Sequence, residues 1–421
     1  MIPIVLFGTF IILILIGTPI AFSIGFASLV TVVVSDIPLL VVPQKLFLAS
    51  NSFPLLAIPF FMLAGKLMQE GGISRKLINF ANNLIGFVAG GLGIVTTLSC
   101  MFFGAISGSS TGTVAAIGSI MIPAMDDNGY DDRYASALVS TAGSLGILIP
   151  PSIPLIIYGN VMGVSIANLF TAGIGAGIVC GLFIIIYNVF ISKRKGYKGI
   201  GYIPTFKDIW QSFKDAILAL LMPVIVLGGI YGGIFTPTEA AAIASLYGFI
   251  VGFFIYKEFG IKDMKEIFLT AIKNTSVVML IIAASSFFGW IVSMNMIPQK
   301  IANLLLGLDI SQGMLLSIIL LFLVFIGTFM EGNAYIIILA PLFAPLMTSL
   351  GIGLIHFGII MVVSVCVGVI TPPLGVNLFT ACSIYPVTIE GISKKILPFF
   401  IILVLTLFLI AFVPQISLFL L

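Results

Sequence analysis

The sequence predicts an all-α polytopic membrane protein made of two inverted repeats, each holding a re-entrant helical hairpin and a proline-broken helix. Three observations carry that expectation. Apolar residues make up 60% of the 421 positions and charged ones 8%, with a mean hydropathy of +1.28, whereas soluble domains run about a quarter charged. Two long uncharged segments are interrupted alike, by Pro150-Pro151 and by Pro372-Pro373, 222 positions apart. A proline pair removes two backbone donors and pushes the preceding residue out of helical geometry. Within lipid such backbone survives only where protein or a wet cavity surrounds it. Third, landmarks recur at nearly one offset: Thr18-Pro19 returns as Thr236-Pro237 after 218 positions, Ile73–Leu77 as Ile297–Ile301 after 224, and Gly104–Gly108 as Gly327–Gly332 after 223 to 224. With five crossings per half, the second copy enters the bilayer upside down, a common basis for alternating access. The competing reading is coincidence among short Gly/Pro-rich motifs.

Residues 1–192 form the first repeat. Two spans within 1–35 meet at Gly17-Thr18-Pro19 and a third occupies 46–65, so 1–70 is scaffold, each run being near the roughly 20 residues a crossing needs. The first 16 residues lack a basic leading region, which favours a retained span over a signal peptide. Residues 72–88 set Arg75 and Lys76 beside apolar positions and read as an interfacial helix. The stretch 90–125 carries Ser107–Thr113 between flanks too short to cross, so a hairpin that dips halfway and returns fits both length and polarity. Residues 131–160 form the broken helix around Pro150-Pro151, and 165–192 a span. Next comes a cytoplasmic basic linker, 193–215, with Lys193, Arg194, Lys195, Lys198, Lys207 and Lys214. The second repeat, 216–421, keeps the order: scaffold spans 216–295, interfacial helix 296–307, hairpin 310–350, broken helix 355–385 and final span 396–421.

Lysine and arginine set the orientation. With the N-terminus external, 16 of the 18 basic residues fall on the inner side, and only Lys45 and Lys300 fall outside. Both termini are then external.

The hairpin tips offer hydroxyls, free carbonyls and half-helix ends. Helix N-termini attract anions and C-termini attract cations, which suits a carboxylate beside Na⁺. Small-residue packing between helices is the alternative reading of the Ser/Gly run. Glu331 places a carboxylate at membrane depth, at a cost of about 2.5–3.5 kcal/mol; it completes a cation site, binds a proton or caps the returning half-helix. Glu239, after Thr236-Pro237-Thr238, reads as a first-turn helix acid. The four cysteines, Cys100, Cys180, Cys366 and Cys382, lie far apart without metal-ligand spacing. His356 is the single histidine, so haem and zinc sites are hard to build. No nucleophile–base constellation is visible, which argues against an intramembrane enzyme, and a net charge of +3 makes no case for nucleic acid. A channel or assembly subunit is the other rival, though it needs no inverted hairpins.

Four stretches together resemble one family: Phe235–Ala242, Ser107–Gly118, Leu145–Ile153 and Ile370–Leu378. They are similar to the large membrane subunit (DctM-like) of tripartite ATP-independent periplasmic (TRAP) transporters, and the likeness runs over essentially the whole chain. The resemblance implies an elevator-type, Na⁺-coupled symporter in the bacterial inner membrane, importing an organic acid such as a four-carbon dicarboxylate or sialic acid. It implies two partners, a small membrane subunit (DctQ-like) and a periplasmic substrate-binding protein (DctP-like); a symporter of similar build acting without a binding protein is the alternative. Carried over by motif position, two or more Na⁺ ions are implied. One site would use Ser107, Ser110, Gly143 and Gly146, the other Gly327, Glu331, Gly368 and Thr371. Substrate would lie near Ser109, Thr111, Ser152, Asn333 and Asn377. Two departures bear on the second site: Gly332 follows Glu331 where the family often has proline, and Ser364 stands where it often has asparagine.

Overall fold

The computed structural model describes residues 2–307, 310–372 and 375–421, so Pro373 of the second proline pair lies outside the described residues. Every regular element among them is helical. Helices α1 (Ile2–Leu15) and α2 (Ile20–Val34) have 14 and 15 residues, shorter than a full crossing. Gly17 turns the chain between them at φ +87°, a conformation open to glycine without a Cβ penalty. The third span, expected as one continuous piece over 46–65, is instead two helices. Helix α3 (Val41–Ser50) and α4 (Ala57–Glu70) meet at a 60° bend through the 3-10 turn Phe53–Leu56. Ser52 is extended and Pro54 falls in the first turn of the new helix, where its missing N–H costs nothing, and an uncharged run does not record such a bend.

Helix α5 (Ile73–Ile85) has its apolar side, with Ile73, Leu77, Ile78 and Ala81, buried and Arg75 exposed. Helices α6 (Gly91–Ser107) and α7 (Ser110–Asp127) run into each other through Gly108-Ser109. Helix α8 (Asp132–Ser144) is small-residue rich and buried from Tyr134 to Ser144. After the break comes α9 (Ile153–Met162). The linker is shorter than 193–215. Helix α10 (Ile166–Lys195) carries Lys193, Arg194 and Lys195 in its last turn, where cations meet the negative helix end. Helix α11 (Phe206–Tyr231) starts early because Thr205 and Asp208 form a capping box. The helix-free linker is therefore 196–205.

In the second half, α12 (Pro237–Phe249) opens on another capping box: Glu239 N–H donates to Thr236 Oγ1 at 3.3 Å and Thr236 N–H to Glu239 Oε2 at 2.8 Å, so Glu239 is the first-turn acid it was read to be. It continues as a π-helical turn, Ile250–Tyr256. Helix α13 (Ile261–Met294), α14 (Ile297–Leu306), α15 (Gln312–Gly327), α16 (Gly332–Ser349), α17 (Leu354–Gly368) and α18 (Val376–Ile384) follow. The last span is α19 (Ile389–Phe412) and a short α20 (Gln415–Leu418), separated at Pro414, rather than one helix over 396–421. Among the described residues six helices are long and apolar enough to cross a membrane, seven counting the bent α3–α4 pair.

Two packing groups emerge. Helices α1–α4 and α11–α13 pack among themselves, and α6–α10 pack with α15–α20. Helix α5 lies between α11 and α6, and α13 meets α16, so the groups are seamed together rather than separate. Many buried hydroxyls are satisfied within their own helices: Thr96 donates to Leu92 O at 2.8 Å, Ser140 to Ser136 O at 2.8 Å and Ser364 to Ile360 O at 2.9 Å. That pairing lets polar residues sit in an apolar interior without an orphaned donor.

Candidate functional site

Helix breaks, not side-chain clusters, build the site. Ser109 ends one half-hairpin and caps the next, its Oγ accepting from Gly112 N–H at 3.3 Å. Ser152 caps α9 by accepting from Leu155 N–H at 3.3 Å while its hydroxyl donates to Ile147 O. Glu331 caps α16: Oε2 accepts from Asn333 N–H at 2.9 Å and Ala334 N–H at 3.1 Å, and Oε1 from the Asn333 side-chain amide at 2.7 Å. Of the roles open to Glu331 in the sequence, the geometry occupies the capping one.

These breaks face one cavity of about 500 Å³. Its wall takes Gly108, Ser109, Ser110 and Thr111 from the first hairpin tip and Gly327 through Asn333 from the second. Ile147, Ile153 and Pro154 come from the first broken helix, and Gly368, Val369, Gly375 and Val376 from the second. The other packing group closes the far wall with Ile20, Met62, Asn274, Val277 and Val278. Four helix N-termini (α7, α9, α16, α18) and the C-terminal ends of α6, α15 and α17 thus border a single space. The N-termini attract negative charge and the C-terminal carbonyls positive charge. Among the described residues Glu331 is the one charged side chain in the wall, and its carboxylate already sits on the end of α16. The ends of α7, α9 and α18 carry no acidic side chain in their first turns.

Of the residues expected to meet substrate, Ser109, Thr111 and Asn333 line the cavity. Ser152 and Asn377 do not: both are fully buried. Asn377 ties the two broken helices together, its amide donating to Ser140 O at 2.9 Å while its carbonyl lies 3.3 Å from Ser140 Oγ. Its Oδ1 is buried without a donor.

The first set expected to hold a cation comes together only in part. Thr113 Oγ1 donates to Ser109 O at 2.7 Å and lies 3.1 Å from Ser107 Oγ, which is itself 3.3 Å from Ser109 O. This triangle of oxygens rests on Gly146, where an added methyl group would collide with Thr113 Oγ1 and fall 2.7 Å from Ser109 O. Hard oxygen donors around a glycine-sized gap fit an alkali cation better than a soft metal. Ser110 lines the cavity beside the triangle, whereas Gly143 is a packing contact, its Cβ position filled by Val114. Thr113 was missed by sequence reasoning. Its position one helical turn beyond Ser109, on the same face, was the available signal.

In the second set, Gly327 and Gly368 touch backbone to backbone, and a methyl on Gly368 would collide with the Gly327 carbonyl. Glu331 is used as a cap, and Thr371 Oγ1 donates to Val367 O at 2.6 Å. The hydroxyl of Tyr335 is buried without a partner on α16, with its ring 3.8 Å from a methyl placed on Gly327. Neither Tyr335 nor Thr328 and Asn274 of the cavity wall stood out in the sequence, because no motif or spacing ties any of them to the helix breaks.

Comparison with known proteins places this geometry. The family pattern described as "Tripartite ATP-independent periplasmic transporter, DctM component" matches residues 7–416. The isethionate TRAP transporter permease protein DctMQ of Oleidesulfovibrio alaskensis is 42% identical over 99% of the chain, which spans 66% of that longer protein. The C4-dicarboxylate TRAP transporter large permease protein DctM of Pseudomonas aeruginosa is 41% identical, covering 89% of this chain and 87% of that one. The sialic acid TRAP transporter large permease protein SiaM of Vibrio cholerae is 35% identical over 96% and 94%. Among solved structures, the YdaH transporter of Alcanivorax borkumensis superposes with a TM-score of 0.62 at 16% identity, covering 89% of this chain and 87% of that one. At that identity the likeness is one of fold.

Proposed function

This chain belongs to the family of TRAP transporter DctM components, and from that premise we propose that it is the large permease subunit of a Na⁺-coupled importer of an organic acid. The convergence of four helix N-termini and three C-termini on one cavity supports this reading above all. The N-termini of α7, α9 and α18, which carry no acidic side chain, with Ser109, Thr111 and Asn333, would hold the carboxylate. Ser107, Thr113, the Ser109 carbonyl and the backbone at Gly146 would hold one Na⁺; Gly327, Gly368 and Thr371, with Tyr335 beside Gly327, would serve a second. The ion supplies positive charge beside the anion and couples uptake to the membrane potential, at about 2.3 kcal/mol per charge per 100 mV.

Movement is proposed to be of the elevator type, with α6–α10 and α15–α20 sliding as the mobile group against α1–α4 and α11–α13. The far cavity wall supports this, since it alone is drawn from the other group. Met62 and Asn274 stand near Lys66 and Lys273 on their helices. With the basic residues facing the cytoplasm, the cavity opens inward. Localisation in the bacterial inner membrane with both termini periplasmic belongs to the same reading, as do a small membrane subunit and a periplasmic binding protein as partners. The substrate class is taken from relatives named for isethionate, C4-dicarboxylates and sialic acid.

The test is uptake of those three acid classes into proteoliposomes holding the chain with its small subunit and a cognate binding protein. Accumulation should require an inward Na⁺ gradient. Undiminished uptake with choline in place of Na⁺ defeats the coupling, and transport without the binding protein defeats the tripartite reading.

A further inference from the structure

The linker and the first turns of α11 leave large apolar side chains exposed beside basic ones. Pro204 is buried, and Ile209, Ser212, Phe213 and Ala216 turn inward. The Phe213 ring lies 5.6 Å from that of Phe80 on α5, and Asn83 Nδ2 donates to Asp208 O at 3.4 Å. Those contacts fix the rotation of the helix. The side adjacent to them then carries Phe206, Trp210 and Lys214 at i, i+4 and i+8, one stripe on an α-helix, with the Trp210 ring stacked on Phe213 at 5.7 Å. Phe206 is 81% exposed and Trp210 50%, and Lys214 Nζ stands 5.5 Å over the Trp210 ring. Tyr202 and Ile203, just upstream, are 57% and 78% exposed.

Charge accompanies the apolar surface. Six basic residues in 193–215 face two acidic ones, Asp208 and Asp215, for a net +4. Asp208 is engaged at its own helix start by the Thr205 N–H at 2.9 Å and hydroxyl at 2.6 Å. Two turns past Trp210 the same helix becomes an apolar span, so the stripe lies where a chain enters the bilayer. Rings at that depth sit at the headgroup level, and clustered lysines draw anionic lipid to them.

We propose that the face formed by Phe206, Trp210 and Lys214, with Lys198 and Lys207, is a docking surface for anionic phospholipid headgroups, the rings seated at the acyl-chain boundary and the ammonium groups on the phosphates. The experiment uses the full chain in phosphatidylcholine vesicles containing phosphatidylglycerol. The Trp210 emission is isolated as the difference between the wild type and Trp210→Phe. Brominated phosphatidylglycerol should quench that emission about threefold more than brominated phosphatidylcholine at equal mole fraction. The preference should vanish in about 1 M salt, where screening acts over about 3 Å, and in a Lys198→Gln/Lys207→Gln/Lys214→Gln variant, whose exposed side chains leave folding intact. Equal quenching by the two lipids overturns the proposal. So does a Trp210 reached by neither lipid and shielded only when a second protein is co-purified, which would make the face a protein interface.

Discussion

Gly146 and Gly368 hold two tight points of the site, because each brings a backbone against an oxygen of the facing hairpin. Gly146→Ala would push its methyl into Thr113 and Ser109. Overpacking of this kind costs about 1–3 kcal/mol, and transport should fall at least about tenfold while membrane insertion persists, as read by uptake and by yield of monodisperse protein. Thr113→Val keeps the shape and removes one oxygen of the triangle. Losing one such contact is worth about 1 kcal/mol, so the Na⁺ concentration for half-maximal uptake should rise about fivefold; an unchanged Na⁺ titration removes Thr113 from the site. Glu331→Ala strips two N–H groups and one amide of their acceptor. It should lower stability by about 1–2 kcal/mol, seen as a drop in melting temperature, with Glu331→Asp recovering part of it. A melting curve that does not move would show that the cap is not what Glu331 contributes.

At the scale of elements, chain breaks and ion pairs decide which helix end faces which. The start of α8 is held to α19 by Asp131, whose carboxylate lies 2.7 Å from Lys395 Nζ. Partial burial pushes the Asp131 carboxyl up, yet the Lys395 ammonium and the N–H groups of Tyr134 and Arg133 outweigh it and hold the group below its usual range. Because the folded value is the lower one, this stabilisation is fully present above the ordinary carboxylate pKa of about 4 and is lost as pH falls through the depressed value. Lys395→Ala should therefore destabilise by about 0.5 kcal/mol at pH 6, the pair being part-exposed, and by nothing measurable near pH 2. Thermal melts at the two pH values check it. The hairpin arms illustrate what length encodes. Helices α6 and α15, at 17 and 16 residues, stop short of a crossing, and their apolar composition alone would not have separated them from spans. The bend at Pro54 shows the converse, since composition over 46–65 is uniform while the backbone is not.

For the whole molecule, the two packing groups make a directional prediction. A cysteine at Lys198, in the helix-free linker, should react with an impermeant maleimide in inside-out vesicles and stay unlabelled in intact cells. The native cysteines are three buried and one half-buried, so they leave a low background. Labelling from the outside would overturn the proposed orientation and with it the proposed inward opening of the cavity. Composition alone settled that this chain lives in a membrane, since 8% charged residues cannot solvate a surface of 421. The doubled prolines and the Ser107–Thr113 run marked where helices stop, because backbone that cannot pair must lie in protein or water. Those are local constraints, legible without neighbours. The tertiary structure alone decided which stops share a cavity: it set Thr113 and Ser109 against Gly146, drew Asn377 away to join Ser140, and closed the far wall with Met62 and Asn274. Contacts between residues tens to hundreds of positions apart depend on how helices pack. Packing is settled by shape over the entire interior, which no short window of sequence contains.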